Sequence, residues 1–132
     1  MNVLFVYPNA GSQPGFSYGL AQIAAVLKER GHEVQLMHVC EALGPLPDAA
    51  SFAARVKEAD PDLIGFSVVT NQWPYAKKLA TWAGQAVDVP IVCGGIHATV
   101  ATEDVLASGR FDYAFVGECE IAFADFVDRL ER

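Results

Sequence analysis

One feature constrains the fold more than any other: five short apolar segments alternate with stretches of helical periodicity along 132 residues. A strand that is apolar on both faces must be covered on both faces, which is how parallel sheets with helices above and below are built. The first segment, Asn2-Val3-Leu4-Phe5-Val6-Tyr7, is an almost unbroken apolar run ended by Pro8, as expected of a central strand. A polar, glycine-rich loop follows through Gly15. Leu20, Ile23, Ala24 and Leu27 then recur at the spacing of one buried helix face, and Gly31 supplies a left-handed stop.

The second strand, Glu33 to Val39, mixes polar Gln35 and His38 with apolar residues and reads as an edge strand. Asp48 is the expected N-cap of a helix using Phe52, Ala53 and Val56, which Asp60-Pro61 stops. Leu63 to Val69 reads as the third strand, and Pro74 marks the first turn of a helix carrying Ala76, Leu79, Ala80 and Ala83. Val89 to Cys93 is the fourth strand, Thr102 to Ala107 a short helix, and Tyr113 to Val116 the fifth strand. The last helix buries Phe123, Phe126, Val127 and Leu130. With no linker or repeat, residues 1–132 read as a single α/β domain. The expectation is a flavodoxin-like, Rossmann-like three-layer sandwich whose five parallel strands run in the order 2-1-3-4-5. That order reverses the winding between strands one and three and opens a crevice beyond their carboxyl ends.

Composition narrows the partners. Nine Lys and Arg against sixteen Asp and Glu give a net charge of −7, with no basic cluster, a field that repels nucleic acid. No apolar run reaches the roughly 18 residues that span a bilayer, and the first residues carry no secretory pattern. The chain therefore reads as soluble and cytoplasmic, without membrane contact. Cys40, Cys93 and Cys119 are too few and too scattered for a disulfide framework or a zinc site, and read as free thiols in a reducing compartment.

Four strand-to-helix loops converge on the carboxyl rim, and all are rich in glycine, hydroxyls or amides: Pro8 to Gly15, Ser67 to Trp73, Gly94 to Thr99, and Gly117 to Glu120. The opposite rim holds ordinary turns. Gly94-Gly95 either lets a ligand approach the backbone or serves a tight turn with positive φ. Ser67 and Thr70 either bond a ligand's polar edge or cap the next helix. His97 is read as a loop histidine bonded to nearby backbone, with ligand contact as the alternative, and His32 and His38 as structural residues away from the rim. Glu118 and Glu120 suit the positive end of a helix. No catalytic triad, metal cluster or phosphate loop stands out. The residues alone define a polar crevice for a sizeable ligand.

In combination the motifs resemble the N-terminal cobalamin-binding domain of cobalamin-dependent radical SAM enzymes. The resemblance lies in Val3-Leu4-Phe5-Val6-Tyr7-Pro8, Gly19-Leu20-Ala21 and Leu27-Lys28-Glu29-Arg30-Gly31-His32-Glu33-Val34. It continues in Asp62-Leu63-Ile64-Gly65-Phe66-Ser67 with Thr70, Cys93-Gly94-Gly95-Ile96-His97-Ala98-Thr99, and Val116-Gly117-Glu118-Cys119-Glu120. Such domains hold cobalamin across the carboxyl edge of the sheet, with the nucleotide tail tucked beside it. The resemblance implies a tail channel lined by Gly94 and Gly95, tail contacts from Ser67 and Thr70, and closure by Gly117 and Glu118. It further implies that Pro8, Asn9, Asn71, Gln72, Trp73 and His97 edge the site. Trp73 would exclude water below the cobalt, or pack on its own domain.

Two departures from related patterns matter. Cobalamin-dependent mutases and methionine synthase carry Asp-x-His-x-x-Gly in the first loop. Asn9 to Phe16 holds no histidine, so none from that loop would lie beneath the cobalt. The family's Gly-Glu-Gly-Glu reads Gly117-Glu118-Cys119-Glu120 here. The three cysteines cannot form Cys-x-x-x-Cys-x-x-Cys, so a 4Fe–4S cluster and S-adenosylmethionine would belong to a radical SAM domain supplied in cis or in trans. A receiver or a flavodoxin-type nucleotide module shares the strand order. However, Tyr7-Pro8-Asn9 and Thr70-Asn71 lack the receiver carboxylates, and the first loop lacks a hydroxyl-rich phosphate cradle.

Overall fold

The computed structural model describes residues 1–10, 18–41, 44–117 and 120–131. Strands β1 (Asn2–Pro8), β2 (Glu33–Val39), β3 (Leu63–Ser67), β4 (Ile91–Gly94) and β5 (Tyr113–Ala114) form one sheet in the order β2-β1-β3-β4-β5. All four pairings are parallel. This is the flavodoxin-like arrangement expected from the apolar alternation. β2 lies at the edge, as its mixed composition requires, and Leu36 there is 60% exposed.

Helices α1 (Tyr18–Glu29) and α6 (Glu120–Glu131) cover one face of the sheet. Helices α2 (Ala49–Ala59) and α3 (Trp73–Ala86) cover the other, with α4 (Ile96–Val100) and α5 (Thr102–Ala107) beside them. Side chains alternate strictly between the two faces. Leu4, Val6, Ile64, Phe66, Ile91 and Cys93 point to the α2–α3 side, where they meet Phe52, Val56, Leu79 and Ala83. Val3, Phe5, Leu63 and Val92 point to the α1–α6 side and meet Leu20, Leu27, Phe123 and Val127. Cys40 and Cys93 are buried, while Cys119 lies outside the described residues.

Local signals act as their chemistry dictates. The Asp48 carboxylate accepts from Ser51 N at 2.7 Å while the Ser51 hydroxyl accepts from Asp48 N at 3.0 Å, a reciprocal cap that opens α2. Asp60, at φ 49, closes that helix ahead of Pro61.

Several expectations need correction. β3 ends at Ser67, not Val69, because Val68 turns inward: its N–H donates to Gly94 O at 3.0 Å and its carbonyl accepts from His97 N at 3.0 Å. β4 starts at Ile91, and β5 ends at Ala114 instead of Val116. The segment Ile96–Val100, read as loop, is a helical turn. In α6, Phe126 and Leu130 are only partly buried, while Ala124 is buried beside Phe123 and Val127. Among the described residues, no helix is long and apolar enough to cross a membrane.

Candidate functional site

A cavity of about 460 Å³ opens at the carboxyl end of the sheet on the α1–α6 face. Strand alternation sets its floor. Phe5, Gly65 and Val92 stand side by side on adjacent strands and face this side. One step nearer the rim come Tyr7 on β1, Ser67 on β3 and its register partner Gly94 on β4. Small residues at 65, 67 and 94 thus form a trench along β3 and β4. Leu20 and Ile23 of α1 and Phe123 of α6 wall it, with Phe115 at its end and Gly117 and Glu120 at its lip. A volume of this size, with apolar walls and a few polar groups, has the proportions of a small-molecule or cofactor site.

The glycine pair now separates into two roles. Gly95 has φ +94, and a Cβ there would stand 2.8 Å from Val68 O and 2.9 Å from Val68 N. That position demands glycine for the turn alone. Gly94 has no such constraint: its Cβ would meet only Phe115 Cβ, at an ordinary 3.9 Å. Its missing side chain instead leaves the trench open. Gly65 makes room for a neighbour, since a Cβ would lie 3.0 Å from the Phe5 ring.

Of the residues singled out from sequence, the cavity gathers Ser67, Gly94, Gly95 and Gly117. The Gly117 N–H donates to Thr99 Oγ1 at 2.9 Å, and that hydroxyl donates to Gly95 O at 3.2 Å, so one side chain ties the fourth and fifth loops together. Glu118 lies outside the described residues.

The remaining candidates stand elsewhere. Pro8 is the last residue of β1 and is buried. Asn9 N–H donates to Val39 O at 2.8 Å. Gln72 is buried, and its amide is committed to Ala10: Oε1 accepts from Ala10 N at 2.9 Å and Nε2 donates to Ala10 O at 2.8 Å. Thr70 and Asn71 are exposed. Trp73 packs on the α2–α3 side, its ring 4.6 Å from that of His97 and 5.7 Å from that of Phe111.

His97 is buried in α4, not in a loop. Its Nδ1 lies 3.4 Å from Thr70 Oγ1, and Nε2 has no hydrogen-bond partner among the described residues. His32 is structural and remote from the rim, bonded to Asp128 at 2.7 Å. His38 is a correction: at the carboxyl end of β2 it reaches the rim, its ring tilted 38° to that of Tyr7 at 4.9 Å and its Nε2 3.5 Å from Asn9 Nδ2. The β1 register places it there, because Tyr7 pairs with His38.

Sequence reasoning missed the aromatic and aliphatic wall. Phe5, Phe115, Phe123 and Ile23 look like ordinary core residues; the available signal was Gly65 in an otherwise apolar strand, a mark of close approach. Among the described residues, no group of three or more His, Cys, Asp or Glu is placed to hold a metal.

A flavodoxin-like sheet with a hollow between its carboxyl edge and one helical layer defines a ligand-binding α/β module. Residues 12–127 match the sequence model of the B12-binding domain, and the chain belongs to that family. No curated protein sequence matches significantly.

Solved structures share the fold. The radical S-adenosylmethionine methyltransferase TsrM from Kitasatospora setae, solved with cobalamin and a 4Fe–4S cluster bound, superimposes with a TM-score of 0.86 at 20% identity, covering 98% of this chain and 24% of that one. OxsB, a cobalamin-dependent S-adenosylmethionine radical enzyme solved with aqua-cobalamin, gives 0.77 at 16% identity over 98% of this chain and 19% of that one. A two-component response regulator from Clostridium difficile gives 0.59 at 18% identity, covering 99% of this chain and 96% of that one. This chain spans about a quarter of TsrM and about a fifth of OxsB.

Proposed function

We propose that this chain binds cobalamin at the carboxyl edge of its sheet and serves as the cofactor module of a radical SAM methyltransferase or cyclase. One observation carries the reading: the cavity between the sheet and α1–α6, held open at Gly94, where no backbone constraint requires glycine. Membership of the B12-binding family, and the cobalamin-bound structures that share the fold, support the choice of ligand. The residues present fit a nucleotide tail, with an apolar trench for a ring and Ser67, Tyr7 and Glu120 near the mouth for polar atoms.

When bound, cobalamin supplies a cobalt centre able to carry a methyl group or take part in electron transfer. The chain's own residues position it and keep water out. Ser67 offers a hydroxyl near the mouth of the trench, and the Thr99 bridge fixes the Gly95 and Gly117 segments relative to each other. Gln72 pins Ala10, the start of the first loop, against the turn before α3. That loop carries no histidine, so it offers the cobalt no imidazole from below. The radical SAM domain, with its 4Fe–4S cluster and S-adenosylmethionine, is supplied in cis or in trans.

Titration of the purified chain with hydroxocobalamin, followed by desalting and visible spectroscopy, tests the reading. Retained corrinoid with the spectrum of a displaced lower base is the expected result. Complete loss of the chromophore on desalting, at every concentration up to the solubility limit, overturns it.

A further inference from the structure

We propose that the inner wall of this cavity selects among corrinoids by their lower base, accepting a base with an apolar edge and rejecting a purine. The inference rests on cobalamin binding as proposed above and adds a specificity to the same site. Among the described residues, the lining side chains able to hydrogen-bond a ligand, Tyr7, Ser67, Gln22 and Glu120, stand at the mouth. One residue pair further in, the floor is Phe5, Gly65 and Val92, closed by Phe115 and Phe123, and no side chain there donates or accepts. The backbone cannot substitute, because Gly65 and Val92 each have paired strands on both sides.

A dimethylbenzimidazole presents two methyl groups on its outer edge and loses nothing against such a wall. Adenine carries ring nitrogens and an exocyclic amine around its perimeter, so any orientation that reaches the inner row strips water from at least one of them without replacement. Hydrophobic pockets discriminate against a similarly sized group bearing extra polar atoms by roughly tenfold to a hundredfold.

The test is an equilibrium titration of the full chain, read by visible absorbance, with three probes. These are cobalamin, its analogue with adenine as lower base, and cobinamide, which lacks the nucleotide. Cobalamin is expected to bind at least tenfold more tightly than the adenine analogue, with cobinamide also weak. An adenine analogue within threefold of cobalamin, while cobinamide stays weak, overturns the selectivity and leaves the tail site standing. Cobinamide equal to cobalamin overturns both, because the tail then makes no contact that matters. If none of the three binds, the functional reading itself falls, and the selectivity with it. One variant, V92T, adds a hydroxyl to the inner wall at nearly constant shape. It should narrow the cobalamin-to-adenine ratio at least threefold without changing cobinamide binding; an unchanged ratio in a folded V92T protein counts against the proposal.

Discussion

Gly94 and Gly95 are adjacent, yet they lack side chains for opposite reasons, and substitution separates them. At Gly95 an added methyl group meets Val68 backbone at under 3 Å from a positive φ. Gly95→Ala should therefore cost about 2 kcal/mol or more of stability, read as a lowered urea midpoint. At Gly94 the same change meets nothing closer than 3.9 Å, so Gly94→Ala should leave the midpoint within about 0.5 kcal/mol. Gly94→Leu should fill the trench and weaken cobalamin binding at least tenfold in the same spectroscopic titration. Gln72 makes a different prediction. Removing its amide leaves both Ala10 backbone groups without their partner, so Gln72→Ala should destabilise by about 1–3 kcal/mol. Burial raises the Cys93 thiol from the ordinary 9.0 to about 12. The folded protein should thus resist iodoacetamide at pH 8 at this residue. Because the unfolded thiol ionises first, stability should fall as pH rises from about 9 towards 12, an effect that Cys93→Ala removes from the denaturation curve.

At the scale of elements, α6 shows how charge completes what apolar packing begins. Its last turn is fastened to the amino end of the sheet. The Met1 ammonium meets Glu131 at 2.6 Å, His32 meets Asp128 at 2.7 Å, and Arg30 bridges Asp125 and Asp128 at 2.8 Å each. The hydrogen bond from His32, with help from Arg30, holds the Asp128 carboxyl below the usual carboxylate range, and the ammonium does the same for Glu131. Both folded values are depressed, so their contribution is present above about pH 4 and is lost as acidity rises through the folded values. Asp128→Asn should therefore lower the melting temperature at pH 7 and converge with the parent protein near pH 2.

Strand identity and order were legible because apolar runs and their edge exception follow directly from which faces are covered. Ile96–Val100 was not legible as helix. It is five residues long and rich in β-branched side chains, and it is held by tertiary bonds such as His97 N–H to Val68 O. The rim glycines were readable as places of open backbone, and Gly94, Gly95 and Gly117 do line the cavity. The role of Phe5, Phe115 and Phe123 was not readable, since an apolar residue beside a hollow has the same pattern as one in a filled core.

The whole molecule is asymmetric about its sheet. The α2–α3 side is packed through, with Phe52, Phe66, Leu79 and Val56 at 2% exposure or less, whereas the α1–α6 side encloses the cavity. A ligand seated there lies against α1 and α6 and, among the described residues, meets the other helical layer at Ile96, the first residue of α4. Amide hydrogen exchange with and without cobalamin should accordingly slow most in α1 and α6 and leave α2 and α3 nearly unchanged; uniform protection of both layers would contradict this placement. The fastening of α6 carries a mechanical corollary. A beam clamped at its far end and loaded at its near end deflects most at the near end, and here that end is Glu120 at the opening. Any widening of the doorway should therefore come as small rotations about a fixed foot, read as faster amide exchange at residues 120–123 than at residues 128–131.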